Sequence, residues 1–190
     1  MNSNRAVLII KNILILLIVL IIAGLWGIKK PDIVPVTTKP AVNIPAENKN
    51  AEFSLSIPSL NISTPIIADV DGADKEAYFK ALEGGVAHYA GTAKPGEGSN
   101  IFIFGHSSFY SWAAGDYKEI FRNLEDIKID DEIIVWWKNK KYSYKVTETN
   151  IVEPDDVSVL KPTAVEQITL MTCVPPGTAE KRLIVIAKPE

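Results

Sequence analysis

The chain has 190 residues, enough for one domain plus an appendage. Lys and Arg total 20 against 23 Asp and Glu, a formal net charge of −3, and no basic patch stands out, which argues against a nucleic-acid partner. One cysteine excludes an internal disulfide, one Cys with two His offers no zinc spacing, and Gly91-x₄-Gly96 lacks the Lys-Ser/Thr of a phosphate loop, so neither metal nor cofactor is expected.

The first predicted element is a membrane anchor over residues 1–29. From Ile13 to Ile28 no residue is charged, and Val7 to Ile10 is apolar as well. Together they supply about one bilayer's worth of helix, with Lys11 able to snorkel and Trp26 suited to an interface. The rival is a cleaved signal peptide, for which Ala23-Gly24-Leu25 is a poor cleavage site inside a continuing apolar run. Arg5 and Lys11 precede the span and Lys29 and Lys30 follow it, so the distribution of positive charge does not fix the orientation. With the N-terminus inside, the larger part lies outside, so the expectation is a single-pass cell-membrane protein with an extracellular domain. Residues 30–50 hold Pro31, Pro35, Pro40 and Pro45 without helical or strand period and read as an extended linker.

From residue 51 to 190 the pattern is that of an all-β domain. Phe53, Leu55 and Ile57 alternate with Ser54 and Ser56, a half-buried strand. Ile62 with Pro65-Ile66-Ile67 reads as a second, edge-like strand. A short helix is predicted from Asp74, its cap, to Leu82, stopped by Gly84-Gly85. Val86 to Ala90 is a short strand, and Asn100 to Gly105 is apolar enough to be central and buried. After an aromatic- and Ser-rich segment, a helical turn is expected over Asp116 to Leu124. Glu132–Lys138 and Lys141–Thr149 form a hairpin around Asn139-Lys140. Ile151 to Glu166 is a long connection, and the last strands, 167–172 and 182–187, flank a turn containing Pro175-Pro176-Gly177. Many short strands with one or two small helices suggest a closed or nearly closed barrel.

Three side chains stand at strand ends where they could meet: His106, Cys173 and Arg182. A thiol beside an imidazole is a nucleophile–base pair, and a guanidinium can steady developing negative charge. Each also has a plainer reading. A lone cysteine is usually a small buried hydrophobe. A lone histidine is usually a hydrogen-bonded structural residue, the reading favoured for His88 in the middle of its strand. Arg182 could be a solvated charge paired with Glu180, and Lys181 is expected to be solvated. Cys173 stands beyond the alternating run and before Pro-Pro-Gly, where a core residue is not expected, which favours catalysis.

Thr169-Leu170-Met171-Thr172-Cys173 resembles the T-L-x-T-C motif of the sortases, and Cys173 to Arg182 resembles the T-C-x-P-x-G-x₄-R form of their pilus-type branch. Asn100 to Ser107, Ile57 to Ile62 with Pro65-Ile66, Gly85 to Tyr89 and Pro95 to Asn100 are also similar to the family pattern, so the likeness runs from about residue 51 to the end. It implies a sortase-type eight-stranded β-barrel and a cysteine transpeptidase. By that likeness Cys173 attacks the Thr carbonyl of an L-P-x-T-G-like sorting signal in a secreted protein and forms a thioacyl enzyme. His106 then serves as acid and base, and Arg182 with backbone N–H near Thr172 holds the oxyanion. The accepting amine belongs to a cell-wall precursor or a pilin lysine. Val157, Val159 and Leu160 of the long connection are expected to line the Leu-Pro subsites. Residues 30–53 lack the Asp-Pro-aromatic lid element of pilus-type enzymes, which leaves the branch open. The alternatives are a thiol peptidase that only hydrolyses, and an inactive peptide-binding scaffold on the same barrel.

Overall fold

The structure, a computed structural model, describes residues 52–190. The expected anchor and linker lie outside the described residues. Among the described residues no helix is long and apolar enough to cross a membrane.

The strands are β1 (Phe53–Ile57), β2 (Ile62–Val70), β3 (Val86–Tyr89), β4 (Asn100–Phe104), β5 (Glu132–Trp137), β6 (Lys140–Val152), β7 (Gln167–Val174) and β8 (Lys181–Pro189). They close into an eight-stranded barrel in the order β1-β2-β3-β4-β7-β8-β6-β5. Pairing of β1 with β5 completes the ring and leaves no free sheet edge. The described residues contain one α-helix, α1 (Lys75–Gly84), at the lower end of the one or two expected.

Alternation along each strand sorts side chains between two apolar layers. Leu55, Ile101, Ile103, Ile168, Leu170 and Val185 fill the barrel interior. Their chain neighbours Phe102 and Phe104 point the other way, into an outer layer with Val70, Ala87 and the α1 residues Ala81 and Leu82. That layer explains why β4 is buried on both faces. Asp74 caps α1 as expected, accepting from the N–H of Glu76 at 2.9 Å and of Ala77 at 3.1 Å.

Several local expectations change. In β1 the alternation holds, yet Ser54 and Ser56 are buried too, because Ser54 lies in register between Pro65 and Trp136, whose larger side chains flank it. β2 is not an edge: it pairs with β1 through Pro65 and with β3 from Ile66, so Pro65 sits where one ladder hands over to the next and a missing N–H costs least. The hairpin turn is Lys138-Asn139, one residue earlier than expected, with φ of 49° and 61°, the two positive values a type I′ turn demands. The helical turn expected over 116–124 is a run of i→i+3 turns that leads into a 3₁₀ turn at Leu124–Asp126. The Phe121 N–H donates to the His106 carbonyl at 2.9 Å, a non-helical partner that fixes this segment against the end of β4. Finally, β7 runs on to Val174, so Cys173 belongs to the ladder instead of standing beyond it.

Candidate active site

The register of three adjacent strands sets the site. β4 and β7 are parallel, with Phe104 opposite Met171. Counting two residues on from each reaches His106 and Cys173, on the outward-facing parity of both strands. β7 and β8 are antiparallel, with Cys173 directly opposite Arg182. Adjacent strands lie about 4.8 Å apart, so the three residues form a row across one end of the sheet. Two bonds lock the β4 end of that row: the Gly105 N–H donates to the Met171 carbonyl at 3.1 Å, and the Thr172 hydroxyl donates to the Gly105 carbonyl at 2.9 Å. Gly105 itself has no room for a side chain, since a Cβ there would meet the Phe121 ring at 2.8 Å.

The row opens into a pocket of about 480 Å³ whose walls include His106, Cys173 and Arg182. Tyr78 and Phe79 of α1 close one side, and Gly177 to Ala179 of the β7–β8 turn close another. The His106 ring lies parallel to the Phe109 ring at 4.4 Å between centroids, and Phe79 approaches the same imidazole at 6.4 Å. Burial in this aromatic surround holds the imidazole below the ordinary histidine range, which favours the neutral form at pH 7. Tyr78 stacks on Phe104 at 5.0 Å, and burial first, with Cys173 nearby as a smaller cause, pushes its phenol up.

Arg182 donates from Nη1 to the carbonyls of Ala179 and Lys181, both at 3.1 Å. Among the described residues no carboxylate pairs with it, whereas Lys181 pairs with Glu153. The guanidinium is therefore oriented by main chain and keeps its charge available to the pocket. Cys173 is partly exposed, as a nucleophile must be.

The other expected site residues lie elsewhere. The Thr172 side chain points inward and is buried, so only its backbone can face a ligand. Val159 and Leu160 occupy a short 3₁₀ turn (Val157–Leu160), pack on the outer apolar layer, and do not line the pocket. Val157 is exposed. His88 is fully buried in a polar nest: Nε2 lies 2.9 Å from the Ala93 carbonyl, and Nδ1 lies 3.4 Å from the Asp69 N–H. Sequence reasoning gives Tyr78, Phe79 and Phe109 no place in the site. The aromatic richness of the segment after His106 is the available signal for Phe109.

Comparison with known proteins points to one family. The family model for the Sortase domain matches residues 55–190. Sortase D of Bacillus subtilis (strain 168) is 29% identical over 146 residues, covering 75% of this chain and 65% of that protein. The matched part thus spans just under two thirds of this relative's length. Among solved structures, Sortase A from Corynebacterium diphtheriae superposes with a TM-score of 0.60 at 34% identity, over 74% of this chain and 60% of that one. A Clostridium perfringens Sortase D5 transpeptidase gives a TM-score of 0.60 at 26% identity, over 74% and 79%. With its barrel, its His–Cys–Arg row and a family match over most of its length, this chain belongs to the sortase family.

Proposed function

We propose that the protein is a membrane-tethered, extracytoplasmic cysteine transpeptidase that cleaves an L-P-x-T-G-like signal and joins the acyl part to an amine of the cell wall or a pilin. The observation that carries this reading is the placement of Cys173, His106 and Arg182 around one pocket on three neighbouring strands. In the first step the sulfur attacks the Thr carbonyl, with the thiol proton taken by the neutral imidazole. The C–S bond forms, the C–N bond breaks, and His106 returns the proton to the departing amine. Arg182 faces the oxyanion with donors that need no reorganisation. The incoming amine then reverses the sequence.

The test is to incubate the protein with a Leu-Pro-x-Thr-Gly peptide and an amine and to read masses. A thioacyl adduct on Cys173 followed by ligated product supports the proposal. Hydrolysed peptide alone, with amine in excess, identifies a thiol peptidase. No adduct at all identifies a binding module. Protease accessibility of the domain on intact cells tests the extracellular placement.

A further inference from the structure

A second cavity abuts the active-site pocket on the far side of the imidazole. It measures about 170 Å³ and lies between α1 and the loop after β4. Phe79, His106 and Phe109 line both cavities, whereas Cys173 and Arg182 line only the larger one. The new walls bring one carboxylate, Glu83, and one ammonium, Lys118, together with the small side chains Ala113 and Ala114. The space is built rather than accidental. Gly115 presses the loop onto α1 so closely that a Cβ there would lie 2.5 Å from the Glu83 Cα. Lys118 Nζ is steadied by the Ser111 carbonyl at 3.3 Å, and Glu83 holds Lys80 at 2.8 Å while remaining half-buried.

A transpeptidase needs two substrates to meet at one acid–base group. Two cavities that share only the faces around His106 satisfy that requirement. We infer that the smaller cavity is the amine-acceptor subsite, and that it takes a primary amine carried beside a carboxylate, the end of a single amino-acid unit. This rests on the transpeptidase reading given above. Size is compatible with it, because about 170 Å³ is many times the roughly 10–15 Å³ that one water needs on the same measure. Charge supports it as well. Lys118 offers a partner to the carboxylate, and Glu83 faces the ammonium. The ammonium gives one proton to water. The free amine attacks the thioester carbon, a C–N bond forms and the C–S bond breaks. The second proton passes through His106 to the departing sulfur.

The experiment follows the full-length protein, acylated by a Leu-Pro-x-Thr-Gly peptide, with glycine and glycinamide as competing acceptors. Acyl-enzyme formation is read by mass in the same sample, so failure of the transpeptidase reading, no adduct on Cys173, is distinct from failure of this one. The expected result is a lower KM for glycine than for glycinamide. Lys118→Met should raise the glycine KM about tenfold, the loss of one charge-assisted hydrogen bond, and bring the two amines together. Ala113→Phe, which fills the cavity, should suppress transfer to both amines while the acyl-enzyme still accumulates. Unchanged acceptor KM values in Lys118→Met, or undiminished transfer in Ala113→Phe, overturn the inference.

Discussion

Cys173 and Arg182 face each other as register partners across the β7–β8 ladder. Their separation is fixed by the hydrogen-bonded strands, and the guanidinium is aimed by two main-chain carbonyls instead of an acid. Arg182→Ala should therefore slow acylation of Cys173 by about 10²-fold or more, the usual cost of losing an oxyanion donor. Arg182→Lys should recover little, because a lysine cannot reproduce the fork while also holding the Ala179 and Lys181 carbonyls. The measurement is the single-turnover acylation rate, with circular dichroism showing that the barrel is intact. Full activity in Arg182→Lys would show that charge alone suffices.

Phe109 packs on His106, the proposed acid–base group. Its ring covers one imidazole face at 4.4 Å, and burial keeps the imidazole below the ordinary range. Phe109→Ala admits water to that face, so the pKa of His106 should rise toward its ordinary value near 6.5. The neutral base is present only above that pKa. The acid limb of kcat/KM should then move to higher pH in the variant, with a smaller effect on the plateau. A lower plateau with an unmoved acid limb would mean that Phe109 only packs.

Both histidines are held low by burial, His88 in its polar nest and His106 among aromatics. The unfolded chain binds those protons more readily than the folded one. The sign follows from linkage: stability is full above the unfolded value near 6.5 and is lost as pH falls from there through the lower folded values. Asp69, held down first by its hydrogen bond from Lys94, adds its own loss only further down, through and below the ordinary carboxylate range. Urea midpoints should thus fall between pH 7 and 5, and His106→Gln should flatten part of that slope. A midpoint independent of pH over this interval would contradict the burial of both rings.

Much of this is legible in the amino-acid order. Alternation at Phe53–Ile57 and the apolar run Asn100–Phe104 mark strands through their period, and Asp74 marks a helix start through its capping chemistry. His106 and Cys173 are legible because Gly-His and Thr-Cys end apolar runs, and Arg182 because it opens the next run. What sequence cannot supply is pairing. That β4 and β7 are parallel neighbours, 67 positions apart at Thr172 and Gly105, depends on barrel closure and on no local signal. The anchoring of 116–124 escapes for a related reason: no local pattern tells that a distant carbonyl, that of His106, captures the Phe121 N–H. The second cavity is invisible in the sequence because Gly115 and Glu83 meet only once the loop folds back on α1.

Two glycines separate backbone conformation from contact. Gly91 has φ of 83° with nothing within 4 Å of where a methyl group would stand, whereas Gly115 has φ of 87° with the Glu83 backbone at 2.5 Å. Gly91→Ala should cost about 1–2 kcal/mol, the left-handed penalty alone. Gly115→Ala carries the same penalty and must also push the loop off α1, which displaces Ala113, Phe109 and the wall of the small cavity. Its unfolding free energy should fall further than that of Gly91→Ala, and its amine transfer should drop while that of Gly91→Ala holds. The paired measurement is a urea titration beside a transfer assay. Equal effects of the two substitutions would mean that the loop does not depend on its close approach to the helix, and the acceptor subsite would lose its fixed wall.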